Sequence, residues 1–138
     1  MDPAQFPADR FQTLVAEAVE SLPDRFRDAM TNIAIVVEDE PTREQLASVD
    51  IEPPDTLYGL YEGIPLPERE WAHGNTLPDK VTLFRVPILE DALDDDDVVV
   101  GVGETLIHEV GHYFGLSEEE IMDIEERYWR SFEAPGAE

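Results

Sequence analysis

Apolar residues recur at three- and four-residue steps near the start of the chain, at Phe11, Leu14, Val15, Ala18, Val19 and Leu22. That spacing predicts an amphipathic helix over Asp9–Ser21, buried along one face and stopped by Pro23. A β-branched run follows, with Ile33, Ile35, Val36 and Val37 bounded by Asn32 and by Glu38, Asp39, Glu40 and Pro41. It predicts a buried strand over Asn32–Val37. A short helix is expected at Arg43–Ala47, after which Pro53, Pro54, Gly59, Gly63, Pro65 and Pro67 punctuate a loop-rich stretch around Leu57–Tyr61. Lys80–Val86 alternates Val81, Leu83 and polar Thr82 and Arg85, so a second strand is expected there, ended by Pro87. Two helices complete the pattern. The first carries Val99, Leu106, Ile107, Val110, Tyr113 and Phe114 on one side, and the second carries Ile121, Ile124, Tyr128 and Phe132. Ser117 and Glu120 form S-x-x-E, the signature of a capping box that opens the second of these helices. Ala134–Glu138 reads as a frayed tail.

The chain has 138 residues, of which 42% are hydrophobic. This suits one folded domain over residues 1–138, and no apolar run approaches the roughly 20 residues that cross a bilayer as a helix. No membrane association is expected. Met1–Arg10 carries Asp2 and Asp9 and lacks a basic, apolar leader, so a cytoplasmic location is the expectation. The absence of cysteine removes disulfides, thiolate nucleophiles and sulfur-ligated metals, leaving His and carboxylate as the metal donors. With 33 acidic against 9 basic residues the formal net charge is −24, and Lys80 is the sole lysine. Such a surface repels phosphate backbones, so nucleic acid is not expected as a partner. Solubility and adaptation to high salt both account for the charge.

His108, Glu109, Val110, Gly111 and His112 spell H-E-x-x-H. Chance supplies that pattern in roughly one chain of this composition in a hundred, so the match is informative. Four residues advance a helix by about 400°, which brings both imidazoles to one face, one turn apart, as two ligands of a tetrahedral zinc ion require. Glu109 would stand beside the ion as general base toward a water molecule. The same face carries Asp97, Gly101, Glu104 and Thr105, a polar and small-residue wall suited to a cleft. Glu104, one turn before His108, is a candidate acceptor for an imidazole N–H.

A third ligand is expected after the helix turns out at Gly115. Glu118 lies six residues beyond His112, the spacing of the extended H-E-x-x-H-x-x-G-x-x-ligand motif, with Glu125 in reserve. The expected metal set is thus His108, His112 and Glu118, holding one Zn2+ per chain, although two histidines and a carboxylate also suit iron(II). Gly101 and Gly103 resemble the opening of a dinucleotide loop, but Leu106 occupies the third glycine position. Asp94–Asp97 lacks the calcium-loop pattern and suits a helix N-terminus. Tyr61, Arg85 and His73 are candidate oxyanion stabilisers.

Three segments in order, LYGLYEGIPL at Leu57–Leu66, KVTLFRVPI at Lys80–Ile88 and TLIHEVGHYFGL at Thr105–Leu116, resemble the small bacterial zincin-like metallopeptidase family, a minimal zincin. The resemblance implies an α+β fold, with a small mixed sheet packed against an active-site helix and flanking helices. It implies zinc-dependent hydrolysis of a peptide or protein substrate, with His108 and His112 as ligands and Glu109 as general base. Glu118 stands where related sequences more often have Asp. In larger zincins an edge strand pairs with the substrate backbone, and Lys80–Val86 is the candidate for that role. Two other functions compete: a zincin-like binding or regulatory domain without turnover, and a metal-dependent ribonuclease, whose histidine spacing is similar.

Overall fold

The computed structural model describes residues 1–63 and 79–133. Helix α1 (Ala8–Ser21) follows a 3-10 turn at Pro3–Gln5 and precedes a short helix, α2 (Asp24–Ala29). Strand β1 (Ile33–Glu38), helix α3 (Arg43–Ser48) and strand β2 (Gly59–Glu62) come next. Strand β3 (Asp79–Phe84) runs directly into helix α4 (Arg85–Glu90), and the long helices α5 (Asp95–Phe114) and α6 (Glu118–Glu133) follow. The fold is α+β. The three strands lie in the order β1-β3-β2, with β1 parallel and β2 antiparallel to β3.

Local chemistry explains most of the boundaries. Thr42 caps α3 through a capping box, its hydroxyl accepting from the Gln45 N–H at 3.0 Å while the Gln45 side chain accepts from the Thr42 N–H at 2.8 Å. Asp94 caps α5 by accepting from the Asp97 N–H at 2.9 Å, and Asp95, Asp96 and Asp97 occupy its first turn, where the helix dipole favours negative charge. The acidic run is therefore a helix start, as expected. Phe11, Leu14, Val15 and Ala18 are the buried face of α1, meeting Val81 and Leu83 of β3 and Val98, Val102, Leu106 and Val110 of α5 in one core. Helix α5 runs through the middle of it, touching α1, α4, α6, β2 and β3.

Three expectations need correction. The strand predicted over Lys80–Val86 ends at Phe84, because Arg85 and Val86 begin α4. Pro87 is the third residue of that helix, a position whose N–H has no intrahelical acceptor, so its ring is tolerated there and does not mark the strand's end. The same strand is not an edge: β3 pairs on both sides, through Ile35↔Val81 to β1 and Tyr61↔Val81 to β2. It therefore has no free row of backbone groups for a substrate. The outer strand beside α5 is β2, within a stretch expected to be loop, and its four residues take strand form by pairing with β3. Helix α2 is too short for periodicity to reveal. Ala134–Glu138 and His73 lie outside the described residues. No helix among the described residues is long and apolar enough to cross a membrane.

Candidate metal centre

Helix α5 presents His108 and His112 on one face, their ring centroids 4.8 Å apart. Both side chains are partly exposed, whereas Leu106, Ile107 and Val110 behind them are fully buried, so the core fixes the direction in which the imidazoles point. The helix ends at Gly115, whose φ of 74° is left-handed. There the Gly115 N–H donates to the His112 carbonyl and the Leu116 N–H to the Gly111 carbonyl, both at 3.0 Å. This is a Schellman turn, and glycine adopts it without the Cβ penalty other residues carry. Ser117 starts α6 at once, its hydroxyl accepting from the Glu120 N–H at 3.1 Å while Glu120 Oε1 accepts from the Ser117 N–H at 2.9 Å.

This two-part corner folds the first residue of α6 back over the histidines. Glu118 Oε1 stands 3.2 Å from His112 Nε2, and Glu118 Oε2 stands 4.0 Å from His108 Nε2. Donor atoms around a tetrahedral zinc with bonds of about 2.0–2.2 Å are separated by roughly 3.3–3.6 Å. The Glu118–His112 spacing is close to that of such a pair, whereas the approach to His108 is longer and runs through the other carboxylate oxygen. Ligand-capable atoms of His108, Glu109 and His112 also lie within 4.8 Å of one another, but Glu109 meets His112 on its other nitrogen, with Oε1 3.8 Å from Nδ1.

Glu109 is 8% exposed. Burial raises its carboxyl pKa above the usual value, while the Tyr61 N–H and the two histidines pull it back. The Tyr61 N–H donates to Oε1 at 2.8 Å, so a backbone group of β2 holds one oxygen and leaves Oε2 without a hydrogen bond among the described residues. Pairing with β3 therefore does more than build a sheet: it sets the amide that orients this carboxylate.

Glu125, one heptad beyond Glu118 on α6, meets His108 from behind, Oε1 lying 3.1 Å from Nδ1. With Nδ1 donating to that carboxylate, Nε2 is left as the free lone pair facing Glu118. The same bond is the largest influence on His108 and raises its pKa, against a lowering by burial. Glu125 rather than Glu104 is thus the imidazole's acceptor. A seven-residue step from Glu118 puts both acids on one helix face, and that was the available sequence signal. Glu104 instead lines a cleft beside His108, and its pKa is raised by burial and then by the charge of Glu125. Arg85 is remote from this chemistry: it pairs with Asp39 at 3.1 Å and donates to the Pro3 carbonyl at 2.9 Å. Tyr61 contributes its amide to Glu109 and stacks edge-on against Tyr113, with ring centroids 6.0 Å apart.

The sequence profile of zincin-like metallopeptidases matches residues 30–128. The chain belongs to the zincin-like metallopeptidase family. The matched span runs from just before β1 to Tyr128, so it takes in the whole sheet, the H-E-x-x-H helix, the Schellman turn and Glu118 and Glu125 of α6. A conserved hypothetical protein from Thermo thermophilus has a similar solved fold, with a TM-score of 0.51 at 22% identity over 79% of this chain and 94% of that one. No curated protein matches the chain. Membership in a zincin-like family implies a metal, and the His-Glu-His cluster of α5 is where the present residues can hold one.

Proposed function

We propose that this zincin-like protein is a zinc-dependent metallopeptidase that hydrolyses peptide bonds in a peptide or protein substrate. His108, His112 and Glu118 hold one zinc ion per chain, and Glu109 is the general base. The observation that carries this reading is the convergence of both imidazole Nε2 atoms on the Glu118 carboxylate beside a buried Glu109 with one oxygen unengaged. When bound, zinc supplies a Lewis acid that makes a water acidic near pH 7 and polarises the scissile carbonyl. Glu109 Oε2 takes the proton of the attacking water and delivers it to the leaving amine, while the Tyr61 N–H keeps Oε1 in place. Burial suits Glu109 to the second step, since a raised pKa makes the protonated acid easier to form. Glu125 holds His108 in the tautomer that frees Nε2.

Metal content by mass spectrometry, after dialysis against limiting zinc, tests the site. The expected result is about one zinc per chain, lost in His112→Ala. Stoichiometric iron in place of zinc would move the site to two-histidine, one-carboxylate iron chemistry. No metal in either protein would sink the proposal in favour of a binding domain built on the zincin fold. Glu125→Ala should leave the ligands in place but release the His108 ring, weakening metal binding roughly 10- to 100-fold. Competition with a zinc-responsive chelator measures this, and unchanged affinity would remove Glu125 from the site's machinery.

A further inference from the structure

A cavity of about 630 Å³ opens beside the metal centre. Its size falls in the range of roughly 300–1,000 Å³ typical of ligand pockets. His108 and Glu109 form one end, and successive turns of the same face of α5, through Thr105, Glu104, Gly101 and Asp97, form the floor. Leu57 and Gly59 make one side, and Glu125 with Trp129 of α6 make the other. The space is thus continuous with His108 and Glu109.

The lining has a definite chemistry. Apart from His108, its charged side chains are all acids: Asp91, Asp97, Glu104, Glu109 and Glu125. Three of them are already engaged, Asp91 by the Tyr58 hydroxyl, Asp97 by the Leu93 N–H and Glu125 by His108. Glu104 is different. It is half-buried and has neither a hydrogen bond nor an ion pair among the described residues, and both burial and Glu125 disfavour its charge. Glu109, nine-tenths buried in the same wall, likewise keeps Oε2 without a partner. Glu104 thus faces the cavity with its acceptors unused, while Glu109 Oε2 belongs to the reacting end. Between the acids the wall is apolar, from Leu57, Ile88 and Val100, and Trp129 is 46% exposed. An aliphatic stem ending in a cation fits this combination: the stem packs on the apolar wall, the cation stacks on the indole and pairs with the acids.

We infer that this cavity is the specificity pocket for a lysine or arginine side chain next to the cleaved bond, with Glu104 as the recognition residue, so that the substrates are basic polypeptides. The inference rests on the peptidase reading for the polypeptide nature of the ligand. A cation entering the pocket offsets the Glu104–Glu125 repulsion, whereas a neutral side chain leaves Glu104 unpaired and an acidic one adds a further like charge. The net charge of −24 acts in the same direction at longer range, drawing cationic chains toward the protein and repelling acidic ones at low ionic strength.

The test uses two short peptides identical except for one central residue, arginine or norleucine, whose linear aliphatic side chain carries no charge. Calorimetric binding to Glu109→Gln protein supplied with zinc measures recognition without turnover. The arginine peptide is expected to bind at least about tenfold more tightly, as one charge-assisted contact provides. Adding Glu104→Gln should remove most of that preference, chiefly by weakening arginine binding, and rising salt should shrink the preference shown by protein that keeps Glu104. Equal affinity for the two peptides, or a preference that survives Glu104→Gln, overturns the inference. Cleavage of the same pair by the wild type separates the two readings. Arginine-selective binding with neither peptide cut would sink the peptidase and leave the pocket standing. Cleavage of both at equal kcat/KM would sink the pocket and leave the peptidase standing.

Discussion

Glu109→Gln is expected to lower kcat/KM for peptide hydrolysis by about 100- to 10,000-fold, the usual contribution of a positioned general base. That corresponds to roughly 3–5 kcal/mol of transition-state stabilisation. The substitution is nearly isosteric, and the amide oxygen of glutamine still accepts the Tyr61 N–H that now meets Oε1. Packing around the buried side chain is therefore kept, as are His108, His112 and Glu118. What disappears is the basic oxygen. Zinc content of the variant should equal that of the wild type, and this second measurement matters because Glu109 has atoms close to those of both histidines. Zinc lost together with activity would make Glu109 a ligand and displace Glu118 from that role. Activity within tenfold of wild type, with zinc retained, would end the general-base assignment.

Helix α5 was legible because one signal served two purposes. Its apolar side is set by residues such as Leu106, Ile107 and Val110, which are fully buried, and this fixes where His108 must point without any knowledge of the partner elements. The position of Glu118 near the histidines was legible because Gly115 and the Ser117–Glu120 box are local: a left-handed residue followed directly by a helix start defines a corner of known shape. The sheet was read less well. Strand β2 is four residues long and begins at a glycine, and it forms through pairing with β3, a long-range contact that no local pattern encodes. The mistaken edge assignment of β3 has the same origin, since alternation shows that a strand is half-buried or buried but not what lies on either side of it. Glu125 belongs to the same class: heptad spacing puts it on the Glu118 face, and only the packing of α6 on α5 decides that it meets His108.

That packing is the subject of the second large effect. Gly103→Ala should destabilise the protein by about 2–3 kcal/mol, lowering Tm by roughly 5–10 °C, although helix propensity alone predicts a gain of about 1 kcal/mol. Gly103 lies inside α5, and a Cβ there would overlap the Tyr128 ring, coming within 2.6 Å of Cε2 and nearer still to the phenol oxygen. Tyr128 is 4% exposed, and its hydroxyl and that of Ser21 form a 2.8 Å hydrogen bond, so it has no free space to withdraw into. The overlap must be relieved by moving α6 or by expelling the ring, and overpacking of a filled core costs about 1–3 kcal/mol or more. A double-mutant cycle separates these terms: in a Tyr128→Ala background the obstacle is gone, and Gly103→Ala should then stabilise by about 1 kcal/mol. Stabilisation in the wild-type background would refute the close contact. The change should reach the metal as well, because Tyr128 anchors the helix that carries Glu118 and Glu125. A shift of α6 by a fraction of an ångström alters both the 3.2 Å approach of Glu118 to His112 and the 3.1 Å contact of Glu125 with His108. Zinc affinity of Gly103→Ala should therefore fall even though no ligand has been touched, which makes the glycine's missing side chain part of what builds the site.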